Sequence, residues 1–258
     1  MLRRFLLPGF FGLLLFALWQ ALRASGHLPS YKLPGASEIL RAGWEERALL
    51  LRALGQTGFG AALGFVVSVS LGFLIALTLA SRRWLGEMLS PWVTFFQMIP
   101  VVILAPLCVL LLDQGLPSIV TITFLICFFP VVANTAHGLA SVDRGLLDLF
   151  AVCGATPRQT LLWLKIPAAM PSFLTGVRIA ATVAPVGAIT GDLFAGNKSG
   201  DAFGIGFLVQ LYSGQFNIPA VYACALTSCL LGFFFVTAVY LASWLLLRRW
   251  HESYLPRH

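Results

Sequence analysis

Six apolar runs, each long enough to cross a bilayer as a helix, leave this 258-residue chain few choices of fold. They fall at approximately 5–22, 57–80, 91–112, 116–138, 173–196 and 220–247. At 1.5 Å per residue, about 20 residues suffice for the hydrocarbon core. Within lipid the backbone must satisfy its own polar groups, so such runs become helices. Composition agrees, with 59% hydrophobic and 10% charged residues against roughly 25% charged in a soluble domain. The predicted fold class is an all-α integral membrane protein with six transmembrane helices.

The formal charge of +7 does not point to nucleic acid, because the basic residues cluster at the ends of the apolar runs. With the N-terminus inside, eleven fall on the cytoplasmic side: Arg3, Arg4, Arg82, Arg83, Arg144, Arg158, Lys165, Arg178, Arg248, Arg249 and Arg257. Six fall outside: Arg23, Lys32, Arg41, Arg47, Arg52 and Lys198. This asymmetry predicts both termini in the cytoplasm. Arg3 and Arg4 ahead of Phe5–Leu22 look like the start of a signal peptide, but Arg23 sits badly in a cleavage site. The run is read as a retained first span. The expected organisation is an N-terminal span (1–25), an extracytoplasmic loop or surface helix (26–56), a five-helix core (57–250) and a cytoplasmic tail (251–258).

Gly60, Gly64, Ser68 and Gly72 repeat every four residues, a stripe that lets another helix approach closely. The partner is either a helix of the same subunit or a second subunit. Asp113-Gln114-Gly115 makes a tight turn between the third and fourth spans. Cys108, Cys127, Cys224 and Cys229 lie in apolar runs, and with Cys153 form no Cys-x-x-Cys pair, so they read as packing residues and no metal site. There is no phosphate-binding Gly-x4-Gly-Lys loop, no His-Glu-x-x-His and no Gly-x-Ser-x-Gly. An energised transporter without a nucleotide site draws on an ion gradient or on another subunit. Candidate pathway residues are the polar or helix-bending groups of the spans: Gln97, Pro100, Asn134, Thr190 and Asp192. Each can equally serve local helix–helix hydrogen bonding.

The loop at approximately 140–172 is the longest on the cytoplasmic side. Thr156 suits an N-cap, Pro157 the first helical position, and Gln159 completes a capping box. An amphipathic helix with Leu161, Leu162 and Leu164 should follow and stop at Pro167, with Gly154 turning sharply just before it. Two short helices outside the membrane form either a docking surface or an element lying on the headgroups.

Asp148 to Pro167 resembles the signature loop of binding-protein-dependent ABC importer permeases, Glu-Ala-Ala, three residues, Gly, nine residues, Ile-x-Leu-Pro. Gly154 takes the glycine place, and Leu164, Ile166 and Pro167 the Ile-x-Leu-Pro places, with nine residues between. Asp148, Leu149 and Phe150 stand for Glu-Ala-Ala. Pro171, Gly176 and Arg178 resemble the continuation seen in one branch, which is similar to permeases for nitrate, sulfonates, taurine, bicarbonate, and pyrimidine or riboflavin precursors. Further matching stretches run from about residue 50 to 250. The resemblance implies a separate ATPase that binds ATP and magnesium, a soluble solute-binding protein, a second permease copy and a place in the bacterial inner membrane. It implies no cofactor and no catalysis in this chain. Its ATPase-coupling residues would be Asp148, Ala151, Gly154, Ala155, Thr156, Pro157, Arg158, Gln159, Leu161, Leu162, Leu164, Ile166 and Pro167. The rival reading is an ion-coupled secondary transporter, which six spans without an evident inverted repeat disfavour.

Overall fold

The computed structural model describes residues 2–25, 32–81, 83–196 and 203–247, and every regular element among them is helical. The expected tail 251–258, and with it Arg82, Lys198, Arg248, Arg249 and Arg257, lies outside the described residues. In chain order the helices are α1 (Leu2–Ala24), α2 (Ala36–Glu45), α3 (Arg47–Ser81), α4 (Arg83–Gln97), α5 (Val101–Leu112) and α6 (Leu116–Ala140). Then come α7 (Arg144–Val152), α8 (Pro157–Thr160), a single wide π turn (Leu161–Lys165), α9 (Ile166–Ala195), α10 (Ile205–Gly214) and α11 (Ile218–Leu247).

Four helical stretches are long and apolar enough to span a membrane: Arg47–Ser81, Leu116–Ala140, Pro157–Ala195 and Ile218–Leu245. The pair formed by α4 and α5 would make a fifth, although its two halves meet at 95°. The expected continuous span at 91–112 is therefore broken. The break falls at Met98-Ile99-Pro100, where proline lacks an N–H and drives the residue before it out of the helical region. Pro91, Pro106, Pro130 and Pro185 stay inside their helices. Two other boundaries move. α3 begins at Arg47 rather than near 57, and the helix expected to stop at Pro167 runs through it and through Pro171 to Ala195. The wide turn just ahead, closed by the Ile166 N–H on the Leu161 carbonyl, shifts the hydrogen-bond ladder where the Pro167 ring would crowd it.

α6 is the central helix, packed along both α3 and α9, which also touch each other. The small-residue stripe is what admits it. A Cβ added at Gly60 would lie 2.8 Å from the Ile119 side chain, at Gly64 2.5 Å from Thr123, and at Gly72 2.9 Å from Val131. Ser68 fills the remaining place and donates its hydroxyl to the Phe124 carbonyl at 2.9 Å. The stripe thus serves packing within the subunit. α9 approaches the same two residues of α6, with Gly187 against Thr123 and Gly191 against Ile119. Where lipid supplies no hydrophobic drive, such close backbone approach is what holds helices together.

Gly64→Val should lower the midpoint of thermal unfolding in detergent, because β-branched bulk must displace Thr123 or the Val120 carbonyl, an overpacking loss of about 1–3 kcal/mol. Gly55→Ala is the control: an added Cβ there meets nothing within 4 Å, so the midpoint should hold or rise with helix propensity. Equal behaviour of the two variants would remove the seam.

A second core gathers α2, α3, α10 and α11 around Ile39, Leu50, Ile205, Leu208 and Cys224. α1 joins this end through Trp19, which packs on that core, and through Arg23, which pairs with Glu38. The other Glu38 oxygen accepts from the Gly35 N–H at 3.0 Å, so one carboxylate both caps α2 and holds α1.

Candidate functional site

Between α6 and α9, α7 and α8 form a helix–turn–helix whose joint is fixed by the backbone. Asp143 caps α7 by accepting from the Leu146 N–H at 3.2 Å. α7 closes with two bonds, Ala155 N–H to the Phe150 carbonyl at 2.9 Å and Gly154 N–H to the Ala151 carbonyl at 3.0 Å. This is the Schellman pattern, which needs a left-handed residue at Gly154, and its φ is +70°. Two residues later Thr156 opens α8. It accepts from the Gln159 N–H at 3.3 Å, while the Gln159 side-chain oxygen accepts from the Thr156 N–H at 2.8 Å. The spacing of glycine, cap and box predicts this joint, and the structure has it.

The helix–turn–helix has two faces. On one, Leu164 is buried, and Leu161 and Ile166 pack on Ala76, Leu139 and Ala169. On the other, Val152, Leu149, Leu146, Leu162 and Trp163 are exposed, Val152 at 88%. Asp148, Ala151, Gly154, Thr156, Pro157, Arg158, Gln159 and Pro167 are exposed as well, and Ala155 is half-buried. Apolar side chains displayed on a well-capped element suit a protein groove better than water. Since α8, the π turn and α9 are one continuous helix, a push on this element has a rigid route into the spans.

The pathway candidates do not converge. Gln97, exposed, borders a cavity of 470 Å³ where the broken helix meets Leu125, Ile126, Phe129 and Pro130 of α6. Pro100 is the break itself. Asn134 is half-buried and donates to the Pro130 carbonyl at 2.8 Å, at the point where Gly176 of α9 comes closest. Thr190 donates to the Val186 carbonyl at 2.8 Å within its own helix. Asp192 lies at the far end of the α6–α9 pair from Asn134: Gly191 faces Ile119 and Gly176 faces Asn134, a separation of about 23 Å along the helices.

Asp192 is 2% exposed and accepts the Thr57 hydroxyl. That hydroxyl oxygen in turn accepts from the Ile205 N–H at 2.9 Å, and the Gly206 N–H also faces the carboxylate. Gly204, the N-cap residue of α10, has no side chain to cap with. Asp192 therefore acts as a cap delivered from another helix. Only glycine fits beside it: a Cβ on Gly204 would fall 2.0 Å from the carboxyl carbon, and one on Gly206 would fall 2.2 Å from the Ile189 carbonyl oxygen. Sequence reasoning singled out Asp192 but missed Thr57 and the α10 terminus. One available signal was that Thr57 extends the stripe of Gly60, Gly64, Ser68 and Gly72 by one turn.

Residues 68–252 match the family described as binding-protein-dependent transport system inner membrane component. The chain is 34% identical over 227 residues to the formylaminopyrimidine transport permease protein ThiX of Halalkalibacterium halodurans, covering 87% of this chain and 88% of that one. It is 32% identical over 245 residues to the riboflavin transport system permease protein RibX of Chloroflexus aurantiacus, covering 93% and 88%. The bicarbonate transport system permease protein CmpB of Synechocystis is 25% identical over 244 residues, covering 84% and 83%. Among solved structures, a chain of the inward-facing MetNI methionine ABC transporter superposes with a TM-score of 0.57 at 19% identity, covering 85% of this chain and 99% of that one.

Proposed function

This chain belongs to the family of binding-protein-dependent ABC importer permeases, the inner membrane components of such systems, and on that premise we propose how it works and what it carries. It is a multi-pass inner-membrane transport subunit, so the ion-coupled secondary-transporter reading falls. The proposed arrangement has six spans, α1 and the bent α4–α5 pair counted with the four long ones, and both termini in the cytoplasm. Two copies would enclose the pathway, since one bundle of this size encloses little. A soluble binding protein would deliver solute, and a separate ATPase would bind and hydrolyse ATP.

The coupling element is residues 148–167. The observation that carries this reading is the capped helix–turn–helix, with exposed Leu146, Leu149 and Val152, continuous with α9. ATP-driven closure of an ATPase dimer would move this element, and α9 would carry the motion to α6. Energy enters as differential binding of two conformations and not as chemistry within the chain. Gln97 at the broken helix is the proposed pathway contact, whereas Asn134, Thr190 and Asp192 have local hydrogen-bonding roles.

For the solute we propose a small nitrogen heterocycle of the pyrimidine or flavin-precursor kind. Two relatives above 30% identity are named for the transport of such molecules, while the bicarbonate permease stands at 25%. Gentle detergent purification of the tagged chain, co-expressed with its genomic neighbours, should recover an ATPase subunit and lose it when 154–162 is altered. Uptake by the reconstituted system should be competed by formylaminopyrimidine or riboflavin and not by taurine or nitrate. The reverse competition would replace the heterocycle with a small anion. Recovery of the ATPase irrespective of 154–162 would place the coupling contact elsewhere.

A further inference from the structure

We propose that the cleft between the end of α3 and the π turn binds the phosphate of an anionic membrane lipid. Two adjoining cavities, of 480 and 470 Å³, share Ala80, Ser81 and Lys165 as a common wall. The second is also lined by Arg158 and by the apolar side chains of Leu147 and Leu161. Neither Arg158 nor Lys165 has an ion-pair partner among the described residues. Among the residues lining the two cavities the one carboxylate, Glu87, borders only the first. Two cations thus converge on a roomy cleft whose remaining walls are mostly apolar, the chemistry of a phosphate carried on an acyl chain.

The level of the cleft favours lipid over a soluble ligand. Ser81 ends the apolar helix α3, and Lys165 stands immediately before α9, so both spans reach the headgroup region here. Trp84, three residues beyond Ser81, is 55% exposed, and tryptophan gathers at headgroup depth. The lysine and arginine count assigns this side to the cytoplasm, where anionic lipids are held by basic pockets between helices. The π turn contributes directly. Lys165, half-buried, is the last residue of that turn and stands in the wall that both cavities share. The second cavity's wall includes Arg158 and Leu161 of the proposed coupling element, and Lys165, which both cavities share, is the handle that tests the lipid separately.

The test is native mass spectrometry of the purified full-length chain, delipidated and titrated with phosphatidylglycerol. Wild type should hold phosphatidylglycerol in preference to phosphatidylcholine. Lys165→Gln should weaken that binding about fivefold, the effect of one charge at a membrane surface, and Lys165→Arg should retain it. Retention by Lys165→Arg separates loss of the site from loss of the fold. Equal binding by Lys165→Gln, or no preference for the anionic lipid, overturns the proposal. So does displacement by inorganic phosphate, which would make the ligand a free anion. Exclusion of lipid when the ATPase is bound would assign the cleft to that subunit instead.

Discussion

Gly154→Pro should reduce uptake to background while leaving membrane insertion and amount of protein unchanged. The glycine sits at φ +70° with nothing within 4 Å of an added Cβ, so the obstacle is conformational and not steric crowding. Proline demands φ near −65° and removes the N–H that closes α7 on Ala151. The joint would open, and the proposed coupling surface would lose its fixed angle to α9. Gly154→Ala offers a graded comparison: it can occupy the left-handed region at a strain of roughly 1 kcal/mol and should keep much of the activity. Transport, ATPase recovery and protein level measured together on the three proteins decide the matter. Wild-type uptake by the proline variant, at equal expression, would sink the coupling role.

Asp192→Ala should destabilise the whole far end of the bundle. It strips the acceptor from the Thr57 hydroxyl and from the first amides of α10, and unsatisfied buried groups of this kind together with a lost cap amount to about 3 kcal/mol. For a chain of this size the midpoint of unfolding should fall by about 10 °C. Thr57→Ala removes both a donor to Asp192 and the acceptor for Ile205, so it should act in the same direction. Because the three groups form one network, the double variant should lose little more than the worse single one. Strictly additive losses, or an Asp192→Ala protein as stable as wild type, would show that packing alone holds α3, α9 and α10.

Much of this architecture is legible in residue order because lipid enforces it. The apolar runs find the cores of α3, α6, α9 and α11, and the Thr156–Gln159 box with Gly154 finds the joint, since caps are local chemistry. What stays hidden is of two kinds. Proline is ambiguous within apolar runs: Pro100 breaks a helix, while Pro91, Pro106 and Pro130 do not, and the surrounding residues look alike. Charge misleads similarly at the start of α3, where Arg47 and Arg52 mark the edge of the apolar run and not of the helix. The other kind is distance along the chain. Thr57 meets Asp192 across 135 positions and Ile205 across 148, and nothing local announces either partner.

The π turn at Leu161–Lys165 has a consequence for how such chains can diverge. A turn closed from i to i+5 takes in one residue more than an α turn while the segments on either side keep their bearing. Loss of one residue there would therefore tighten the turn to a regular helix and leave the Gly154 joint, with its exposed leucines, facing much as it does now relative to α9. A residue added further along α9 has no wide turn to absorb it and would rotate the joint by about 100°. In this stretch the wide turn behaves as slack in the chain, a place where length can change without re-aiming what lies beyond it.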